Sequence, residues 1–145
     1  MAVSTVLPAL GLEPTKLPDL TDAKTRKRLS PAAIEAFFKI GGKWDLKNDD
    51  AMALLGGASH GRFYELKKSR KGVLTQDELT RVSLLIGIFK ALNILFSAKL
   101  ANLWISRPNT NLMFNNAAPL VLLIKGGLPG MMNVRRLLDS RRGGR

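Results

Sequence analysis

The 145-residue chain contains no cysteine. That absence excludes a disulfide scaffold, thiolate zinc or iron–sulfur ligation and a cysteine nucleophile, and it fits a reducing compartment. There is one histidine, His60, so neither a histidine-based metal site nor a Ser-His-Asp triad can readily be assembled. Acidic residues are scarce as well: 11 Asp+Glu stand against 23 Lys+Arg, a formal net charge of +12. A polyanion or an acidic protein surface is the partner that such a balance suits. No long uninterrupted apolar run exists. The nearest approach, from Val82 to Ile105, carries Lys90, Asn93 and Lys99 inside it, and charge at that depth is costly in lipid, so no membrane span is expected. The first residues, Met-Ala-Val-Ser-Thr-Val-Leu-Pro, lack the basic and apolar regions of a secretory signal, and a cytoplasmic protein is expected.

What is present suffices for a core: 46% of residues are hydrophobic, and the length suits one domain or two small ones. Residues 1–30, with Pro8, Pro14 and Pro18 and then Lys24, Arg26, Lys27 and Arg28, show little periodicity and read as a flexible arm. Ser30-Pro31 has the form of a helix start, Ser as N-cap and Pro in the first position, followed by Ala33, Ile34, Phe37 and Phe38 on one stripe and by Gly41-Gly42. Asn48-Asp49-Asp50 opens a second short helix that Gly56-Gly57 stops. Ser59 can cap a third, carrying Phe63 and Leu66 on one face.

Two short helices about a glycine turn make a helix-turn-helix candidate, with Ala53 small where the helices approach and Phe63 and Leu66 as anchors. The opposite face of the second helix carries Ser59, His60, Arg62, Tyr64, Lys67 and Lys68. In a major groove, Ser59 and the lysines would meet phosphates while His60, Arg62 or Tyr64 reach base edges. The alternative is a solvated basic face without a ligand. Glu65 either reads cytosine or pairs with Lys68 or Arg62.

Thr75 and Glu78 form a capping-box pattern ahead of a long helix whose Leu79, Val82, Leu85, Ile86, Phe89, Leu92, Asn93 and Phe96 recur at three- and four-residue spacing. Leu84, Ile88, Ile94 and Leu95 widen the stripe over much of the circumference. Such a helix needs cover on more than one side, and a homodimer interface through Leu85, Phe89, Leu92 and Phe96 is one way to supply it. A helix from about Leu100 to Ile105 ends before Pro108. Pro119 opens another, closed by Gly126-Gly127, and Pro129-Gly130 begins a last one with Val134, Leu137 and Leu138 inside and Arg135 and Arg136 outside. With no β alternation and no internal repeat, the class is all-α. Paired carboxylates at 49–50 and 77–78 suit helix dipoles better than acid–base chemistry, and no metal, cofactor or enzyme site is expected. Trp44 and Trp104 read as core residues.

Trp104, Pro108-Asn109, Phe114, Pro119-Leu120, Gly126, Val134 and Gly143 or Gly144 stand in an order and spacing that closely resemble the toxin-binding domain of the Xre/MbcA/ParS antitoxin family. The resemblance runs from about residue 31 to the end. The chain departs from it at His60-Gly61 after the helix cap and at Met113-Phe114-Asn115-Asn116-Ala117 before the proline. The resemblance implies an N-terminal Xre-like helix-turn-helix bundle with a long dimerisation helix over residues 31–96, and a toxin-binding domain over 97–145. It further implies an antitoxin of a type II module that binds a RES-domain toxin consuming NAD or transferring ADP-ribose, blocks its active site, and represses its own operon through double-stranded operator DNA, as a homodimer and in larger assemblies with toxin. Arg135, Arg136, Arg141, Arg142 and Arg145 are the residues expected to reach the toxin, unless they serve only as a solvated cap matched to the helix dipole. A stand-alone helix-turn-helix regulator without a toxin partner is the alternative.

Overall fold

The computed structural model describes residues 18–143, and within them the chain forms seven α-helices and one 3₁₀ turn, with no strand. The helices are α1 (Ala23–Lys43), α2 (Asn48–Leu54), α3 (His60–Ser69), α4 (Gln76–Leu95), α5 (Ala98–Trp104), α6 (Pro119–Lys125) and α7 (Gly127–Arg142), with the 3₁₀ turn at Leu112–Phe114. The all-α expectation is met. No helix among the described residues is long and apolar enough to cross a membrane, and no cluster of metal-ligating side chains occurs among them. Residues 1–17 of the expected arm, and Gly144 and Arg145, lie outside the described residues.

The first helix begins eight residues ahead of Pro31. Its N-cap is Asp22, whose carboxylate accepts from the Thr25 amide at 3.1 Å and from its hydroxyl at 2.9 Å. Just before it, hydrogen bonds from the Thr21 hydroxyl and amide hold the Asp19 carboxyl below its ordinary pKa. Pro31 therefore sits inside α1, where it removes the usual donor to the Lys27 carbonyl on an exposed face that water can serve. Ser30 is not a cap. Fully buried, it donates to the Arg26 carbonyl at 2.6 Å and accepts from the Leu74 amide at 2.8 Å, tying α1 to the segment that precedes α4. The local signal for a helix start is overridden because the serine oxygen finds a buried amide 44 residues away.

Local signals succeed elsewhere. Gly56 and Gly57 adopt φ of 104° and 86°, a region closed to most side chains, and end α2 as the glycine pair requires. Thr75 Oγ1 accepts from the Glu78 amide at 3.1 Å, and Glu78 Oε1 accepts from the Thr75 amide at 2.9 Å, which completes the capping box of α4. Ser97 rather than a residue near Leu100 caps α5. The crowded asparagines shape the connection from α5 to α6. Asn109 Oδ1 accepts from the Asn111 amide and Asn111 Oδ1 from the Met113 amide, each at 2.9 Å, while Asn115 and Asn116 take left-handed backbone angles.

Helix α4 is the axis of the molecule. Leu79, Val82, Leu84, Leu85, Ile86, Ile88, Ala91 and Leu92 are all buried, spread around most of its circumference. Cover comes from the same chain: α1 packs on one side, α7 on another, and α5 along its C-terminal part. One continuous core joins Leu29, Ile34 and Phe37 of α1 through α4 to Met131, Val134 and Leu138 of α7, so the packing does not break near residue 97. Helix α6 leans on α2 as well as on α7. Leu85 and Leu92 are 1% and 0% exposed within this single chain, which leaves them no surface to offer a second copy; Phe89 and Phe96 are half-buried. The expected dimer contact through Leu85 and Leu92 is thus replaced by intramolecular packing.

Candidate functional site

Helix α3 is held by its apolar side. Phe63 and Leu66 are buried, and Phe63 lies against Phe38 of α1 with ring centres 5.5 Å apart. The cap is the expected one, Ser59 Oγ accepting from the Arg62 amide at 3.3 Å. Ser59, His60, Gly61, Tyr64, Glu65, Lys67 and Lys68 then face outward. His60 and Tyr64 sit one helical turn apart with ring centres 6.2 Å from one another, a polar aromatic pair at the N-terminal half of the face. Lys68 is exposed, and Lys67 Nζ reaches back 2.7 Å to Asn48 Oδ1 at the start of α2, bracing the two helices of the motif.

Arg62 departs from the expected role. Its guanidinium turns inward and pairs with Glu78, with a further contact of 3.4 Å to the Val73 carbonyl. Glu78 is buried, and its Oε1 is the same atom that closes the α4 capping box. A buried carboxylate needs a cation and several donors, and Arg62 supplies what Thr75 alone does not. Arg62 therefore locks α3 against α4 rather than reading bases. Arg70 is engaged too. In the left-handed C-cap position, it donates from Nε to the Lys67 carbonyl at 2.8 Å, pairs with Glu35 of α1 at 2.5 Å, and lies 4.9 Å over the Phe38 ring. Of the cations in 67–71, Lys68 and Lys71 remain fully directed to solvent.

In the C-terminal region the structure separates the arginines that sequence spacing grouped together. Arg135 is not an outward residue: its side chain is 12% exposed, its Nε donates to both carboxylate oxygens of Asp139 at 3.0 and 2.9 Å, and its guanidinium fills the notch at Gly87 on α4. A Cβ at Gly87 would stand 1.2 Å from Arg135 Nη1, so the glycine makes room for the arginine. Arg136 is exposed and donates to Asn133 at 3.0 Å; Arg141 and Arg142 are exposed, the latter 3.7 Å from Asp139. A Cβ on Gly130 would lie 2.5 Å from the Leu122 carbonyl, which is why α7 can cross the end of α6 so closely.

Apolar side chains that the arginine pattern did not reveal are left exposed in the same region of the chain. Leu112 is 96% exposed, and Leu100, Met113, Val121 and Met132 are exposed as well. Beside Leu100 a groove of about 250 Å³ is walled by Phe96, Leu103 and Trp104 and edged by Arg107 and Asn109. Trp104 itself stacks edge-on to Phe114, ring centres 5.7 Å apart, as a half-buried prop, and Trp44 is buried beside Phe89. Contiguous apolar side chains left in water mark contact surfaces, and those that line the groove beside Leu100 adjoin one another. The sequence signal that could have found them is the run Leu112-Met113 inside an asparagine-rich turn, where nothing in the local pattern offers cover.

Two family models match the chain. Residues 23–87 match the antitoxin Xre-like helix-turn-helix domain, and residues 91–144 match the antitoxin Xre/MbcA/ParS C-terminal toxin-binding domain. The protein named uncharacterized protein y4oB from Sinorhizobium fredii is 40% identical over 115 residues, spanning 79% of this chain and 87% of the relative. The first match begins at Ala23, where the structure begins α1, rather than at residue 31.

Proposed function

Because the chain belongs to the Xre-type antitoxins, with an Xre-like helix-turn-helix and an Xre/MbcA/ParS toxin-binding domain, we propose that it is the antitoxin of a type II module whose toxin carries a RES domain and consumes NAD or transfers ADP-ribose from it. It acts in the cytoplasm by occupying surfaces and performs no chemistry of its own. On duplex operator DNA, the outward face of α3 enters the major groove: Ser59, Lys67 and Lys68 meet phosphates, and His60 and Tyr64 meet base edges. Arg62 stays with Glu78. This binding represses the chain's own operon, as a homodimer or in a larger assembly with toxin.

On the toxin, the exposed apolar residues Leu112, Met113 and Met132 supply the contact area, and Arg136, Arg141, Arg142 and Arg145 reach acidic or polar groups at the mouth of the NAD pocket. The observation that carries the reading is the presence, in one chain, of an outward basic face on α3 and of exposed large apolar side chains in the region matching a toxin-binding domain. The test is co-expression with the neighbouring gene product. The expected result is a toxic neighbour that co-purifies with this chain and whose NAD loss is suppressed by it. Removal of residues 141–145 is expected to abolish suppression while DNA binding persists, and full suppression by the truncated chain refutes the role given to the tail. One observation favours the other reading, a regulator without a toxin: α7 completes the cover of α4, so the C-terminal region would be kept for folding alone. A neighbour that is harmless and does not co-purify decides for it.

A further inference from the structure

We propose that the exposed face of α1 is a second duplex-DNA contact, one that binds phosphates without reading sequence. The inference rests on the reading that α3 binds DNA. Lys24, Arg28, Pro31, Glu35 and Lys39 recur at three- and four-residue spacing along α1, and all are exposed, with Lys27 beside them. The one acid in that row, Glu35, is neutralised by Arg70. Arg26, by contrast, is half-buried and donates to the Leu20 carbonyl at 2.8 Å, so it belongs to the fold and not to the row.

Two features point this row toward duplex DNA. The first is continuity with the α3 face. Glu35 holds the α3 C-cap through Arg70, and Ser30 holds the chain at Leu74, so the connection leaving α3 runs along α1 toward its N-terminal half. Lys71, in the connection that leaves α3, and Arg28, Lys27 and Lys24 on α1 are all exposed, on two segments that the Glu35–Arg70 and Ser30–Leu74 contacts hold together. Consecutive charges four apart on α1 rise by roughly 6 Å, close to two phosphate steps of about 3.4 Å along one strand. The second feature is the charge at the start of α1. Lys24, Arg26, Lys27 and Arg28 crowd that end and outnumber the two carboxylates there, the N-cap Asp22 and Asp19, so it keeps a net positive charge for a polyanion to meet.

The full chain is titrated, by fluorescence anisotropy between about 50 and 200 mM salt, with the duplex upstream of its own gene and with a random-sequence duplex of equal length. Every phosphate that a cation ceases to neutralise takes about 0.9 off the slope of log K against log salt. Lys24→Ala/Lys27→Ala/Arg28→Ala is expected to lower the slope by about 2 to 3 and to weaken both duplexes by the same factor. Its Tm should match that of the native chain, because all three side chains are exposed. Lys99→Ala/Lys125→Ala removes two exposed charges elsewhere and should leave the slope unchanged. An unaltered slope in the triple variant, with native binding intact, overturns the α1 contact and leaves the α3 reading standing. A native chain that binds neither duplex overturns both. A lowered Tm assigns the row to folding and overturns the inference, a result that Lys24→Gln/Arg28→Gln checks independently. Loss of toxin suppression with an unchanged slope makes it a protein-binding face instead.

Discussion

Replacing Arg62 by Ala distinguishes what spacing suggests from what packing imposes. Glu78 is the acceptor in question: its side chain is 9% exposed and it keeps the Thr75 amide as a donor, at 2.9 Å, after the guanidinium is gone. Removing one partner of a fully buried ion pair costs about 3–5 kcal/mol. Here the arginine side chain is 34% exposed, so water reaches the pair and screens it. A loss of about 1–2 kcal/mol follows, which lowers Tm by roughly 3–8 °C for a domain of this size. Glu78→Gln retains an oxygen for the capping box, so the double-mutant cycle of Arg62→Ala with Glu78→Gln isolates the ion pair, with a coupling of about 1 kcal/mol. Urea unfolding followed by circular dichroism measures the stabilities, and anisotropy with the promoter duplex measures binding. The expected pattern is lowered stability with sequence preference retained. Unchanged stability together with relaxed preference at one base pair would refute the locking role and return Arg62 to the base edges.

Ser30→Ala leaves the buried Leu74 amide without its acceptor, and unfolding in urea should report a loss of about 1–3 kcal/mol. Leu92→Ala opens a cavity within one chain and should cost about 2–5 kcal/mol. The unfolding midpoint of that variant should shift equally across a roughly hundredfold range of protein concentration, and a shift that vanishes as the chain is concentrated would place Leu92 in a subunit interface after all.

Much of the fold was legible because its signals are local. Ser59, Thr75 with Glu78, and the pair Gly56-Gly57 act within a few residues, and all three operate where spacing places them. Phe63 and Leu66 face inward for the same reason: a period of three to four residues has only one apolar side to bury. The failures share a different cause. Ser30 resembles a cap until an amide 44 residues on claims its oxygen, and Arg62 resembles a base reader until a carboxylate 16 residues on claims its charge. Arg135 resembles a surface arginine until Gly87, on another helix, provides the notch that buries it. Each is a charged or hydroxyl side chain whose burial is decided by a residue distant in sequence, and helical spacing contains no information about that residue.

The sequence by itself determined the helical class, the places where most helices begin and stop, the basic outward residues of α3 and the greasy character of α4, since propensity, capping and periodicity depend on near neighbours. Tertiary structure alone decided that α1, α5 and α7 of the same chain cover α4, which arginines turn inward, and where apolar side chains stay in water at Leu112 and beside the Trp104 groove. A buried surface records that it needs cover but not which segment will supply it, and that choice is made only when distant helices compete to pack.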